Sequence, residues 1–259
     1  MDERSLAAVL AGLPIPAIHY FESIGSTNDY ARSLVERATP DGTLVIADEQ
    51  TQGRGRLNRH WETRPGSALA FSLVIHPSPE EMPNIGLFSA LSGLAVCSTL
   101  RSRYGLEAQI KWPNDVLIHQ KKSCGILVEA AWLGSQLQGV IAGVGINIAP
   151  SSVPSQTDLV FPATCVESEL GRPVDREKLL AEILRELFSL RAGLGSPQFI
   201  ANWDSLLAFK GEWVKVEQPG RTLEGKLAGI ARDGSLRLQV KDDEYLEIEV
   251  GDVRLRKAV

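Results

Sequence analysis

Gln50-Thr51-Gln52-Gly53-Arg54-Gly55-Arg56-Leu57-Asn58-Arg59-His60-Trp61 sets a glycine and arginine core between an apolar run and a tryptophan. Arginine carries a charge that cannot be titrated away and a planar fork that matches carboxylate and phosphate oxygens. Gly53 and Gly55 permit unusual backbone angles and close approach to a ligand. That chemistry addresses an anion, and the same residues also suit an arginine-rich surface loop with no ligand. On either side, Thr43 to Asp48 and Ala68 to Ile75 are rich in β-formers, so the segment reads as strand, long loop, strand. Loops this long in compact domains are commonly functional.

Upstream, Ser26-Thr27-Asn28-Asp29-Tyr30 offers a hydroxyl N-cap and an acid in the first turn. Tyr30, Leu34 and Ala38 then recur at helical spacing, which predicts a helix starting near Ser26 or Thr27 with free N–H groups at its start. Downstream, Leu87, Leu91 and Leu94 predict a core-facing helix over Pro83 to Tyr104, ended by Gly105. Strands are expected at Ala108 to Trp112, Val116 to Ile118, Gly125 to Trp132 and Leu137 to Ile148, with a hairpin at Gly134-Ser135. Ser151 to Pro162 reads as a loop, and helices open at Asp175 and at Ser196-Pro197. After Lys210-Gly211 short alternating strands follow (Glu212 to Glu217, Thr222 to Ala231, Ser235 to Val240, Tyr245 to Val250), the texture of a small barrel.

A chain of 259 residues, 44% hydrophobic and 23% charged, can bury a core for one large domain and a small one. The net charge of −5 argues against nucleic-acid binding through the overall field, so any anion site must be local. Cys97, Cys124 and Cys165 are odd in number and widely spaced, which suggests neither a disulfide framework nor a zinc site. Reduced thiols in a cytoplasm are the simplest account. Cys97 reads as core, whereas Cys124 lies near the chemistry and is a candidate to line it. No apolar run approaches a membrane span, and Met1 to Ala11 carries Asp2 and Glu3 where a signal peptide would be basic. A cytoplasmic protein with no membrane contact is expected.

Two further motifs carry chemistry. In Ile110-Lys111-Trp112-Pro113-Asn114-Asp115, Pro113 forces Trp112 out of helical space, so Lys111 projects from a strand end. A β-turn beside an ordinary solvated lysine is the plain alternative. Gly143-Val144-Gly145-Ile146-Asn147 has glycines on alternate residues, so one strand face lacks side chains and something can lie flat against it. A strand packed tightly under a helix has the same pattern.

Taken in order, these motifs resemble biotin protein ligases. The resemblance rests on Ser26-Thr27-Asn28, on Gly53-Arg54-Gly55-Arg56 running to Trp61, on Lys111 to Asp115, on Lys122-Ser123-Cys124-Gly125-Ile126-Leu127-Val128-Glu129, on Gly143 to Asn147, and on the C-terminal Val250 to Leu255. It implies an α+β fold: a mixed β-sheet catalytic domain flanked by helices, like class II aminoacyl-tRNA synthetases and biotinyl ligases, over residues 1–209. A small C-terminal SH3-like β-barrel takes residues 210–259. It further implies two steps in one site. Biotin's carboxylate attacks the α-phosphorus of ATP, with Mg2+, to give biotinyl-5′-AMP and pyrophosphate. A lysine of a biotin carboxyl carrier domain, as in acetyl-CoA carboxylase, then takes the biotin.

By the same resemblance Ser26, Thr27, Asn28, Gln50, Arg54, Gly55, Arg56, Lys111, Gly125 and Gly143 contact biotin. Arg54, Arg56, Trp61, Lys111, Asn114 and Asn147 contact the nucleotide. Arg54, Arg56 and Lys111 are the catalytic cations, which fits a reaction that brings an anionic nucleophile to a polyanion. The mixed anhydride hydrolyses easily, so Gln50 to Trp61 is expected to be mobile when empty and ordered over the intermediate, with Gly53 and Gly55 as hinges. For the transfer step Asp115 is the nearest base by sequence, and its turn also suits a purely structural role.

None of His19, His60, His76 or His119 has a nucleophile or ligand partner at meaningful spacing, so covalent catalysis and a bound transition metal are disfavoured, and no protein side chain is assigned to a metal. The family's loop usually carries glycine where this chain has Asn58, a change tolerable in left-handed backbone. Only about two dozen residues precede Ser26, too few for a helix-turn-helix domain, so DNA binding is not expected. Pairing into homodimers is a family habit. A lipoate or octanoate protein ligase and a non-catalytic biotin sensor are the rival readings.

Overall fold

The computed structural model of the protein describes residues 1–37, 39–61, 63–153, 161–218 and 220–255. In chain order the elements are α1 (Glu3–Val9), β1 (Ile18–Ile24), α2 (Thr27–Val35), β2 (Leu44–Gln50), β3 (Ala68–Ile75), α3 (Phe88–Tyr104), β4 (Ala108–Lys111), β5 (Asp115–Ile118), β6 (Lys121–Leu133) and β7 (Gln136–Asn147). Then come α4 (Val166–Leu170), α5 (Arg176–Arg191), α6 (Pro197–Ser205), β8 (Trp213–Gln218), β9 (Arg221–Ile230), β10 (Leu236–Lys241), β11 (Glu244–Ile248) and β12 (Asp252–Leu255). Seven strands form a mixed sheet in the order β1-β2-β3-β7-β6-β5-β4, in which only β1 and β2 run parallel. The last five form an antiparallel sheet, β11-β10-β9-β8-β12, of the SH3-like barrel kind.

Period-two alternation assigns the faces of the large sheet. Leu69, Phe71, Leu73 and Ile75 of β3 join one apolar cluster with residues of α3, α5 and α6, while Val74 joins another with Ala31, Leu34 and Val35 of α2. The face under α2 also carries the residues that matter chemically. There the strand registers align Ser72, Gly143 and Leu127 on one rung across β3, β7 and β6, and Ala70, Gly145 and Gly125 on the next. Cys124, one residue out of phase, falls on the opposite face, is fully buried in the main core and does not line the cavity described below. Burial pushes its thiol well above the ordinary range and the Cys97 thiol up to about 12.

Local signals explain several helix ends. The Ser26 hydroxyl accepts from Asp29 N at 3.4 Å to cap α2, Asp175 caps α5 through Lys178 N, and Ser196 caps α6 with Pro197 in its first turn. Gly105 ends α3 in left-handed backbone, φ 66°. Several expectations need correction. The helix predicted from Pro83 starts at Phe88, because Met82–Leu87 is a 3-10 turn with a break at Asn84. The segment Met82–Tyr104 is long and apolar enough by composition to cross a membrane, contrary to the sequence reading, and 67% of its apolar 18-residue window is buried inside the protein. Helix α2 stops at Val35; Ala38 and most of the expected 151–162 loop lie outside the described residues. Elements α1, β1, α4 and β12 have no counterpart in the sequence reading.

The two sheets meet at the Lys111 corner. Ile110 exchanges backbone hydrogen bonds with Leu206 and Ala208, and the Trp112 indole N–H donates to the Gly234 carbonyl at 3.0 Å. The Trp112–Pro113 peptide bond is cis.

Candidate active site

A cavity of about 960 Å³ opens on the α2 face of the large sheet and is bounded on one side by Glu217 and Gln218 of β8 and by Val250 to Asp252, which lead into β12. All thirteen residues singled out from the sequence line it, from Ser26 through Asn147. They divide into a polar niche, an aromatic floor and a cationic end.

The niche is built on the Ser72–Gly143–Leu127 rung. Asn28, in the first turn of α2, donates from Nδ2 to the Leu127 carbonyl at 3.2 Å and to Glu129 Oε2 at 2.7 Å, and its Oδ1 accepts from Ser72 Oγ at 2.7 Å. Ser72 Oγ also lies 2.8 Å from Thr27 Oγ1, an alternative acceptor for its single proton, and Gln50 Oε1 accepts from both the backbone and hydroxyl of Thr27. Gly143 is required by sterics: a Cβ there would lie 2.0 Å from Asn28 Oδ1. Ser26, Thr27 and Asn28 are all buried.

The floor is the glycine rung. The sequence leaves open what lies flat on it, and the structure supplies the indole of Trp61: a Cβ on Gly145 would come within 2.5 Å of that ring, and one on Gly125 within 3.0 Å. Trp61 Nε1 is buried with no hydrogen-bond partner among the described residues. An orphaned buried donor has lost hydration without recompense, which marks a position where a ligand acceptor would be favoured. The loop that delivers Trp61 is a small hairpin, closed by Trp61 N to Gly53 O at 2.9 Å and Gly55 N to Arg59 O at 2.7 Å. Its left-handed residue is Leu57, φ 56° and ψ 38°, one position before the Asn58 for which the sequence suggests that conformation.

At the cationic end Lys111 is 3% exposed. Its Nζ pairs with Asp252, lies 3.6 Å from Asp115 Oδ2 and sits 5.5 Å from the Phe161 ring centroid. Lys122 Nζ takes the other Asp115 oxygen at 2.6 Å. Asp115 therefore has both oxygens engaged by ammonium groups and must give one up before it can take a proton. Burial alone would raise the Asp252 carboxyl, but Lys111 and then Arg59, whose guanidinium is 3.4 Å away, outweigh it and hold Asp252 below the usual carboxylate range. Lowered this way, Asp252 keeps its charge at every pH above its ordinary value.

The two loop arginines diverge. Arg56 donates to Asn114 Oδ1 at 3.1 Å, while the Asn114 amide is fixed on the Ile126 carbonyl at 2.7 Å. Arg54 turns away to Asp29 and to Glu129, 3.3 Å off. Asn147 donates to the Thr164 carbonyl at 3.1 Å, at the margin. Sequence reasoning missed Ser72, Lys122, Glu129 and Asp252 as site residues. Ser72 was visible as the lone polar residue of an apolar strand, and Glu129 as an acid inside another. Nothing local singled out Asp252.

A mixed sheet carrying a polar niche, an aromatic-covered glycine floor and a cationic end around the buried Lys111 in one cavity suits a small ligand with a polar head, an apolar body and an anionic tail. Comparison gives the family. Residues 20–147 match the biotin/lipoate A/B protein ligase family and residues 210–256 the biotin protein ligase C terminal domain. The biotin–[acetyl-CoA-carboxylase] ligase of Mycobacterium tuberculosis is 32% identical, over 97% of this chain and 91% of that one. The bifunctional ligase/repressor BirA of Bacillus spizizenii is also 32% identical, over 86% of this chain and 69% of that one. The Aquifex aeolicus biotin protein ligase, solved in complex with biotin and ATP, superposes with a TM-score of 0.79 at 28% identity, covering 94% of this chain and 100% of that one. The chain belongs to the biotin protein ligase family.

Proposed function

We propose that this cavity is where biotin and ATP react to give biotinyl-5′-AMP and pyrophosphate, and where a lysine of a biotin carboxyl carrier protein then takes the biotin. The observation that carries the reading is the pairing, in one cavity, of the Asn28–Ser72 niche with the Lys111 end. A ureido head has N–H groups and a carbonyl to satisfy the niche. A lipoyl or octanoyl chain has neither and would forgo those hydrogen bonds with the niche, a difference that discriminates against it.

With the head in the niche and the ring taking the place of the Trp61 indole on the glycine floor, the carboxylate reaches toward Arg56, Lys111 and Lys122. These cations offset the repulsion between the carboxylate and the α-phosphate and stabilise the charge that collects on it. Magnesium enters with the nucleotide, as part of the substrate. Arg54 is held by Asp29 and Glu129, so its part is to fix the loop unless it exchanges those carboxylates for the ligand's. Biotin-dependent exchange of labelled pyrophosphate into ATP tests substrate, nucleotide and reaction together; exchange driven by lipoate and not by biotin would overturn the reading. The 50–61 loop, closed over the intermediate, should also resist proteolytic nicking in the presence of biotin and ATP. Equal nicking with and without them would remove its role as a lid.

A further inference from the structure

Glu129 lies on β6, off the cavity wall, yet its carboxylate gathers three groups, two of which line that wall. Oε2 accepts from Asn28 Nδ2 at 2.7 Å, Oε1 accepts from Arg32 Nη2 at 3.0 Å, and Arg54 Nη2 approaches at 3.3 Å. Asn28 belongs to the niche, and Arg54 to the lid loop. Asp29, which also binds Arg54, is the other acid facing this cluster.

The orientation of the Asn28 amide follows from its neighbours. Glu129 and the Leu127 carbonyl are acceptors only, so the NH2 must face them, and the carbonyl oxygen must face Ser72, whose hydroxyl donates. Oδ1 thus reaches the cavity with one lone pair taken by Ser72 and a second left for a ligand N–H. Were the amide reversed, it would present a donor to another donor. We infer that Glu129 is a positioning residue with two separable tasks: it holds the Asn28 carbonyl toward the ligand, and it tethers the lid through Arg54.

The inference rests on the reading of the cavity as the biotin site. Its test uses biotin titration calorimetry and proteolysis of the 50–61 loop on the full protein. In Glu129→Gln the side-chain carbonyl still accepts from Asn28, so biotin affinity stays within about threefold while loop nicking accelerates as Arg54 loses a charged partner. In Glu129→Leu both tasks fail, nicking accelerates, and biotin affinity drops by about tenfold, the equivalent of one lost hydrogen bond. A swapped pair guards against mere misfolding. Asn28→Asp sets two carboxylates against each other and loses affinity, and adding Glu129→Gln, whose amide can donate to the carboxylate introduced on α2, restores it about tenfold. Glu129→Leu binding as tightly as the wild type with unchanged nicking overturns the inference, as does absence of rescue in the double variant. Failure of the unaltered protein to bind biotin would instead overturn the reading of the cavity.

Discussion

Lys111→Ala slows biotin-dependent pyrophosphate exchange by about 100- to 1000-fold, the usual loss when one preorganised charge on a developing anion is removed. The protein still folds, because the groups left behind keep partners. Asp115 retains Lys122 at 2.6 Å and Asp252 retains Arg59 at 3.4 Å, so no buried carboxylate is stranded. The loss therefore falls on kcat, with the melting temperature and biotin affinity shifting much less. Lysine is 3% exposed here, and its ammonium is positioned by Asp252, which arrives from the other sheet. An exchange rate equal to wild type would remove Lys111 from the chemistry altogether.

The second large effect comes from one added methyl group. Gly143→Ala directs a Cβ to 2.0 Å from Asn28 Oδ1 and 2.8 Å from its Cγ. Clashes with the tip of a flexible side chain relax cheaply, but Asn28 is pinned by Glu129, Leu127 and Ser72 and can yield only by breaking those bonds. Biotin affinity falls by about 30- to 150-fold, or 2–3 kcal/mol, for the one or two hydrogen bonds lost. Gly145→Ala serves as the contrast. Its Cβ meets Trp61 at 2.5 Å, so it displaces the indole and perturbs the loop while the niche stays whole. Titration calorimetry of both variants with biotin separates the two rungs; equal affinities for Gly143→Ala and wild type would refute the role given to the niche.

Much of this site was legible because its parts are local. A serine before a helix, glycines on alternate residues and a proline after Lys111-Trp112 each dictate backbone and side-chain direction within a few positions. The same period of two that exposes Gly143 and Gly145 sends Cys124 to the far face, and here the sequence reading errs by using nearness along the chain where phase along the strand decides. Asp252 was illegible for a different reason: its partner is 141 residues away, and an acid in a short strand carries no trace of that. The loop shows the limit of analogy. Asn58 is the residue that tolerates left-handed backbone, yet that conformation falls on Leu57, whose side chain is largely exposed at the hairpin tip. The closing bonds of the hairpin fix that geometry, and the side chain accommodates it.

The indole over the glycine rung bears on the calorimetry of ligand binding. Apolar surface at Gly145 and Gly125 is already sheltered from water by Trp61. A thiophane ring arriving there exchanges one cover for another, so little solvent is released from the floor itself. The heat-capacity change of biotin binding is then governed by the new environment of the indole: close to zero if the ring swings out into water, and large and negative if it folds down over the bound ligand.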